Sequence, residues 1–414
     1  MFEVVFFDYW KRGTRHFAGI NKALQDLGIT SILVHLGSER GEVYLSDEVI
    51  DGIICRDISF YENDLIKMLC KIKPKVVILL NNQTQDKIIT RVSRGLGIKT
   101  IYLMHGVLAL NNNVDAVIKQ MNSAFGFKER IYRLVKYSKL IIVYLKTLMY
   151  NRDGGLLCSI FEIIKYFFIQ FYSPASNLFG KYYYLDSLTN ECIVYSERDK
   201  DNFIRIYKYP PSRVKALGNY NLDNFISRSS LVNISPRRKY LLYIENGFSD
   251  PKLTIDGWSE SLVKDEIISL ASIANKLEFD IYVKLHPSSD YCLLVNESVL
   301  PSNVKVFNDN LDELIANSSG VIGQSSSVIV MAIAIKKPIC ILNLEPLKLL
   351  IKDYVDDGIG TLVNNICEFE NWLISLKMGA LVYENNYNIN YYYGPLDGKS
   401  TDRIVSSLLK IIKK

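Results

Sequence analysis

The stretch GVIGQSSSVIVMAIAIKKPICILNL, residues 320–344, contains the pattern from which the fold follows. A short apolar run leads into a turn of Gln and three Ser residues, and an apolar run of helical length comes next. Lys-Lys-Pro ends that run, and a second short, β-branched run begins. Apolar strands on either side of a helix of this length indicate a βαβ unit with parallel strands. The stretch therefore predicts an α/β protein.

The same alternation of strands and helices occurs in two series. In the first, helical stretches closed by glycine separate strand-like runs at 3–8, 31–36, 75–80, 99–105, 191–196 and 214–219. The second begins near Lys239 and includes the stretch quoted above. We expect two Rossmann-like, doubly wound domains facing a central cleft, with ligands at the carboxyl ends of the strands. The predicted limits are 1–228 for the N-terminal domain, 236–395 for the C-terminal domain, and 396–414 for a terminal helix able to cross back to the N-terminal domain.

Length and composition restrict the class of protein. The chain has 414 residues, of which 49% are hydrophobic and 22% charged, a globular balance with enough residues for two cores. The net charge of +5 is small for this length, and no nucleic-acid partner is expected. Seven scattered cysteines without a CxxC pair are typical of a reduced, cytoplasmic protein. We expect neither a signal peptide nor a transmembrane helix, which needs about 18 or more consecutive apolar residues.

One region departs from the alternation. Between about 107 and 190, and most clearly at 125–172, the sequence is helical in pattern, strongly apolar and basic. Such a helical insertion is compatible with contact at an anionic membrane surface, which would place the protein peripherally at the inner face of the cytoplasmic membrane. It is equally compatible with a helical hairpin that packs on its own domain while its lysines reach water.

Two polar clusters follow strands of the C-terminal domain. The run DIYVKLHP ends in His286 and Pro287, and Lys284 alternates with His286 on the same side of the strand. An imidazole there would donate to a phosphate oxygen or protonate a leaving group. The second cluster lies at a helix start, where free N–H groups and the helix dipole suit an anion; it consists of Gly323, Gln324, Ser325, Ser326 and Ser327. A locally bonded histidine and a serine N-cap are the simpler alternatives.

The N-terminal domain has polar residues at corresponding positions. Asp8 ends the first strand, where a catalytic carboxylate would lie, and a basic loop follows it. That loop would face an anionic acceptor, although a solvated surface loop has the same composition. The acceptor-side candidates are Arg12, Arg15, His16 and, at the end of the 99–105 strand, His105.

KLHP together with GQSSSVIVMAIAIKKP resembles the HP motif and the Ser-Ser motif of bacterial GT-B glycosyltransferases that use CMP-activated acidic sugars. That group includes sialyltransferases, polysialyltransferases, and Kdo and pseudaminic or legionaminic acid transferases. The stretches at 101–107, 214–225 and 394–412 are similar to parts of other GT-B proteins of bacterial surface polysaccharides, including polyol-phosphate transferases. The resemblance covers both halves of the chain through short motifs. It implies inverting, metal-independent transfer of a nonulosonic or Kdo-type acid to a capsule, lipopolysaccharide or O-antigen acceptor, either a glycan or a lipid-linked glycan.

The resemblance also implies roles for individual residues. His286 would contact the donor phosphate and help CMP leave, and the serine turn would bind phosphate or the sugar carboxylate. The acidic base should follow the first strand of the second domain, but ENGFSDPKLTIDGWSESL departs from the family pattern there. The candidate bases are, in order, Asp256, Glu245 and Asp250, with Asp8 as a further candidate, and Glu345 is assigned to the donor ribose by analogy.

Three alternatives remain open. The fold would also suit a UDP-sugar, dTDP-sugar or CDP-polyol donor. A non-catalytic GT-B-like subunit of a polysaccharide assembly complex would keep the fold without the chemistry, and a nucleotide-sugar epimerase has the same two-domain shape. The sequence contains neither HExxH nor a Cys/His cluster, so we expect no metal and no cofactor besides the donor substrate.

Overall fold

A computed structural model describes residues 2–105, 126–136, 188–229, 238–245, 259–286, 299–324, 326–344, 353–381 and 388–413, with short pieces between 122 and 173. The chain divides into two compact units. Unit 1 comprises Met1–Tyr220, Tyr393–Pro395 and Lys399–Lys414, and unit 2 comprises Asn221–Tyr392 and Leu396–Gly398. Most of the insertion predicted for about 107–190 lies outside the described residues.

The described strands of unit 1 form one sheet in the order β3-β4-β2-β1-β5-β6-β7-β8. All neighbours are parallel except β3 and β4. Strands β1, β2 and β5 are buried throughout, as their continuous apolar sequences require. The bounds are β1 Val4–Asp8, β2 Ser31–His35, β3 Glu48–Ile50, β4 Ile53–Asp57, β5 Val76–Leu79, β6 Lys99–Leu103, β7 Glu191–Val194 and β8 Val214–Ala216.

The described strands of unit 2 form a second sheet, in which every pair is parallel, in the order β11-β10-β9-β12-β13-β14. Strands β9, β12 and β13 are again wholly buried. The bounds are β9 Tyr240–Ile244, β10 Asp280–Lys284, β11 Val304–Phe307, β12 Gly320–Gly323, β13 Ile339–Leu342 and β14 Thr361–Val363. The predicted α/β class with two doubly wound, largely parallel sheets is confirmed.

Helices connect and cover the strands. The spacing of apolar residues and the capping residues explain why these segments are helical. Helix α1 buries Phe17, Ile20 and Leu24 on one side, and the Asp64 carboxylate caps α2 by accepting hydrogen bonds from two backbone N–H groups. The described helices are α1 Thr14–Asp26, α2 Leu65–Ile72, α3 Thr84–Gly95, α4 Phe127–Lys136, α5 Glu197–Arg205, α6 Asp223–Ser229, α7 Glu260–Lys276, α8 Leu311–Asn317, α9 Ile329–Ala334, α10 Asp353–Asp356, α11 Ile366–Lys377, α12 Ile389–Tyr393 and α13 Ser400–Ile412.

In both units the strand order reverses beside the first strand. Strands β2 and β5 flank β1 in unit 1, and β10 and β12 flank β9 in unit 2. At such a reversal the loops that follow the two adjacent strands run to opposite sides of the sheet. A crevice opens between them at the carboxyl ends of the strands, and doubly wound sheets bind ligands there. Asp8 ends β1, and Glu245 follows β9 directly.

Candidate functional site

In unit 2, Glu245 ties together the carboxyl ends of two strands. Its side chain is buried, and its Oε2 accepts a hydrogen bond from the backbone N–H of His286 at 3.1 Å. Its own backbone N–H donates to the carbonyl of Lys284 at 3.1 Å. The pairing of Lys284 with Ile244 sets this register. The carboxylate therefore positions the backbone of His286 at the edge of the crevice.

Lys284 is a buried cation beside this carboxylate. Its Nζ donates to the carbonyl of Leu285 at 2.7 Å. Burial lowers the pKa of Lys284, and the nearby carboxylates of Asp309 and Glu245 oppose that shift. The amine therefore lies close to the end of β10, where its protonated form would stabilise an anionic ligand.

The serine turn lies at the carboxyl end of β12, beside β9. Gln324 is buried, and the carbonyl of Ser326 accepts from the Tyr354 hydroxyl at 2.9 Å and from the N–H of Ile329 at 3.1 Å. Helix α9 is only six residues long and begins two residues later than the run SVIVMAIAIKK predicts. The turn around Ser326 and Ser327 is thus held by its own hydrogen bonds and by Tyr354.

The structure brings Glu245, Lys284 and His286 together at the carboxyl ends of β9 and β10. At the carboxyl end of β12, on the other side of β9, it places Gly323, Gln324, Ser326 and Ser327. Four candidates from the predicted donor site and base lie outside the described residues: Asp256, Pro287, Ser325 and Glu345. The same is true of Asp250.

In unit 1, Asp8 lies in a cavity of about 450 Å³ at the reversal between β1 and β5. Its Oδ1 accepts from the Tyr9 N–H at 2.8 Å and from Asn81 Nδ2 at 3.3 Å. Burial raises the pKa of Asp8, an effect opposed by the Tyr9 hydrogen bond and by electrostatic interaction with His105 and Arg40. A carboxylate with a raised pKa in a cavity is a suitable general base.

The wall of this cavity is strongly basic. The predicted residues Arg12, Arg15, His16 and His105 all line it together with Asp8. The rings of His16 and His105 meet edge to face at 5.8 Å. Three arginines and two histidines surround one buried carboxylate. Such a site suits an anionic molecule that also has a hydroxyl group whose proton Asp8 can accept.

The lining residues that were missed from the sequence include Arg40, Asn81 and Trp10. The Arg40 guanidinium lies over the Trp10 ring, 3.2 Å from its centroid, which keeps the arginine at the cavity. Asn81 comes just after the predicted strand at 75–80, so a rule that examines residues after each strand would have found it. Arg40 lies in a turn after β2 and has no comparable signal.

At the wall of the cavity, half-buried Tyr9 and buried Asp86 anchor the loop after β1. The Tyr9 hydroxyl donates to Asp86 Oδ2 at 2.7 Å, and the backbone N–H of Gln83 donates to the same oxygen at 2.9 Å. Burial raises the pKa of Asp86 to about 7. Asp86 therefore links the loop that follows Asp8 to the start of α3.

Comparisons with known proteins find similarity in structure alone. No protein-family model and no curated protein matches the sequence. The fold is similar to that of the spinosyn forosaminyltransferase SpnP, with a TM-score of 0.53 and 14% identity, over 100% of both chains. It is similar to that of the UDP-GlcNAc 2-epimerase from Neisseria meningitidis bound to UDP-GlcNAc, with a TM-score of 0.52 and 15% identity, over 98% of this chain and 99% of that one.

A third similar structure is the H444N variant of the wall teichoic acid polymerase TagF, with a TM-score of 0.56 and 12% identity. This match covers 99% of this chain and 89% of TagF. All three matches span both Rossmann-like units, and at these identities the likeness establishes the fold. The chain therefore has the GT-B fold.

Proposed function

We propose that this chain is an inverting glycosyltransferase that transfers a nonulosonic or Kdo-type acidic sugar from a CMP-sugar to a bacterial surface glycan. One observation carries the proposal: Glu245, His286 and the serine turn lie at the carboxyl ends of the adjacent strands β9, β10 and β12, beside the reversal of the unit 2 sheet, where doubly wound sheets bind nucleotides. The names of the similar structures, a forosaminyltransferase and proteins of UDP-GlcNAc and teichoic acid chemistry, support a sugar-transfer or sugar-nucleotide role. The reaction would take place in the cytoplasm.

The donor would be held in unit 2. His286 and the hydroxyl and N–H groups of Ser326 and Ser327 would bind its phosphate, and Lys284 would add positive charge. We assign Glu245 a positioning role, because its carboxylate accepts from the backbone of His286. Neutralising the phosphate in this way stabilises the departing CMP without a metal ion.

The acceptor would be activated in unit 1 by Asp8. The acceptor oxygen bonds to the anomeric carbon while the bond between that carbon and the phosphate oxygen of CMP breaks. The proton of the acceptor hydroxyl passes to the Asp8 carboxylate, and CMP leaves with the bonding electron pair. Asp256 and Asp250 remain candidate bases outside the described residues.

The basic wall around Asp8 supports an acceptor that is itself anionic. A glycan that ends in an acidic sugar, or one linked to a lipid phosphate, would place negative charge beside Arg12, Arg15 and Arg40. These arginines would orient the acceptor so that its hydroxyl lies near Asp8.

Release of CMP from a CMP-activated nonulosonic acid tests the proposal, with Asp8→Asn compared against Asp26→Asn, an exposed change on α1. We expect Asp8→Asn to slow transfer by about 10²–10⁴-fold while donor binding is kept. The control should match the wild type. If Asp8→Asn transferred sugar at the wild-type rate, the base would have to be a different carboxylate. If the protein turned over UDP-GlcNAc but no CMP-sugar, the assignment of a CMP-sugar donor would be wrong.

A UDP-sugar or CDP-polyol enzyme is the second candidate, and the UDP-GlcNAc named for one similar structure supports the UDP-sugar donor. An epimerase would convert a nucleotide sugar without an acceptor. Incubation of each donor without an acceptor, with the products separated by chromatography, distinguishes an epimerase from a transferase. An epimerase converts its donor into a new sugar nucleotide, whereas a transferase forms no new sugar nucleotide from any donor.

A further inference from the structure

Exposed apolar side chains are concentrated in one part of unit 1. Of the 21 large hydrophobic side chains exposed among the described residues, ten lie between Phe127 and Tyr172. Single exposed apolar residues are common on protein surfaces, but a concentration of this kind marks an interaction site.

Helix α4 carries one stripe of this surface. Phe127, Ile131 and Val135 follow each other at intervals of four residues, which places them on one face, and they are 67%, 43% and 68% exposed. The pattern of four-residue intervals would normally bury such a face against the protein. Here the side chains of this face are exposed, so the face is available for contact with a partner.

Aromatic rings extend the stripe. The Phe127 ring contacts Phe171 edge to face at 5.9 Å, and Phe171 in turn contacts Tyr172 at 5.0 Å. Phe168 stacks with Tyr172 at 6.1 Å, and both rings are more than half exposed. We call the set Phe127, Ile131, Val135, Phe168 and Tyr172 the apolar surface.

Arg130 fixes the two parts of the apolar surface to each other. Its Nη1 donates to the carbonyls of Phe171 and Tyr172 at 3.0 and 2.9 Å, and its Nη2 donates to the carbonyl of Asn122 at 2.9 Å. The guanidinium thus joins α4 to the aromatic segment through the backbone.

The charge of the same segment is strongly positive. Residues 125–172 contain eight Lys and Arg against three Asp and Glu, so their net charge of +5 equals that of the whole chain. Three of these lysines, Lys128, Lys146 and Lys165, are exposed among the described side chains. The remainder of the chain is therefore neutral in sum, and the excess charge falls in the same stretch of sequence as the exposed apolar side chains.

We propose that the apolar surface docks on the anionic face of a lipid bilayer. The apolar side chains and the amphipathic Tyr172 would enter the headgroup region, and Lys128, Lys146 and Lys165 would bind lipid phosphates. Among the described residues, no helix combines the length and the apolar character needed to cross a bilayer. A second copy of the chain would bring two segments of like charge together, which opposes self-association through this surface.

Flotation of the full chain with vesicles tests the proposal. We expect binding to an equal mixture of phosphatidylglycerol and phosphatidylcholine and little binding to phosphatidylcholine alone. Each lysine near an anionic surface is worth about 1 kcal/mol, so reversing all three, with Lys128→Glu, Lys146→Glu and Lys165→Glu, should weaken binding at least about 100-fold. The matched control reverses three exposed lysines elsewhere, Lys22→Glu, Lys99→Glu and Lys276→Glu, and should weaken binding far less.

A second variant separates the apolar contribution. Phe127→Ser with Ile131→Ser and Val135→Ser should abolish flotation. Leu27→Ser with Val43→Ser and Met378→Ser removes three exposed apolar side chains elsewhere and should not. Absence of flotation for the wild type, or equal flotation by every variant, would overturn the proposal. The proposal would also be overturned if the wild type did not bind vesicles but formed a dimer that dissociated only in the Phe127, Ile131 and Val135 triple variant. Both variants are tested by flotation with vesicles and not by enzymatic activity, so the result does not depend on the proposed function.

Discussion

Gly13 illustrates at the scale of one residue how closely the loop after β1 packs on the candidate base. A Cβ atom at this position would overlap Asp8 Oδ2 and lie 2.8 Å from Asp8 Cγ. Gly13→Ala should therefore displace the carboxylate and destabilise the chain by about 1–3 kcal/mol, measured by thermal unfolding. Gly19→Ala on α1 is the matched control: its nearest neighbour, Thr401 Oγ1, would be 3.8 Å away, and removing a helical glycine should stabilise by up to about 1 kcal/mol. Equal stability of the two variants would contradict this account.

Glu266 makes a prediction for the pH dependence of stability. Burial raises its pKa to about 7, and the Tyr243 hydroxyl donates to its Oε1 at 2.7 Å. Between its usual pKa of 4.5 and about 7, the unfolded chain ionises this group while the folded chain keeps it protonated. Its stabilising contribution is therefore complete below pH 4.5 and is lost as the pH rises to about 7, on the order of 3 kcal/mol.

Glu266→Gln should accept the same hydrogen bond without ionising. We expect a higher melting temperature than that of the wild type at pH 7 and a similar one at pH 4.5. Asp265→Asn, an exposed neighbour on α7, is the control and should leave the pH profile unchanged. If Glu266→Gln shows the wild-type loss of stability between these two pH values, the carboxyl is not the group that titrates.

The local pattern predicts where single residues lie better than what they contact. KLHP was enough to place His286 at a strand end, because proline ends the strand. The bond from its N–H to Glu245 was not predictable, since it depends on the register of β9 against β10. The approach of Arg40 to Asp8 likewise depends on how β2 and β1 align.

At the scale of the element, α13 is an integral part of unit 1. Arg403 Nε donates to the carbonyl of Leu217 at 2.8 Å, and Leu408 is fully buried in the core of the unit. Leu408→Ala should destabilise unit 1 by about 2–5 kcal/mol, measured by urea unfolding. Lys410→Ala, an exposed change two residues further along α13, should have little effect. Comparable losses from both variants would show that α13 frays from the unit.

The elements themselves were predictable where the apolar runs are long, and less so where they are short. The sequence EVIDGIICRD forms the β3–β4 hairpin that the alternation of parallel strands did not predict. Its signal is the Asp51–Gly52 pair, and both residues adopt positive φ, of 51° and 74°, as a tight hairpin turn requires. Helix α9 is shorter than its apolar sequence suggests, because the residues before it form the serine turn.

At the scale of the whole molecule, both units follow one plan, and each has its candidate residues where its strand order reverses. This much was predictable, because parallel sheets with helical crossovers place strand ends, and hence polar residues, at one edge. The identity of the donor was not, because phosphate-binding groups do not distinguish one nucleotide base from another. The central claim is that unit 2 binds a cytidine nucleotide through His286.

Thermal stabilisation by nucleotides tests that claim most directly. The purified chain, its His286→Ala variant and the exposed control Lys276→Ala would each be heated with CMP, CDP, UDP or dTDP. At about 100 times the dissociation constant a ligand stabilises by about 2.7 kcal/mol, which is readily measured as a higher melting temperature. We predict that CMP raises the melting temperature of the wild type and of Lys276→Ala, but not of His286→Ala. A rise with UDP or dTDP in place of CMP, or a rise with CMP that His286→Ala keeps in full, would contradict the account.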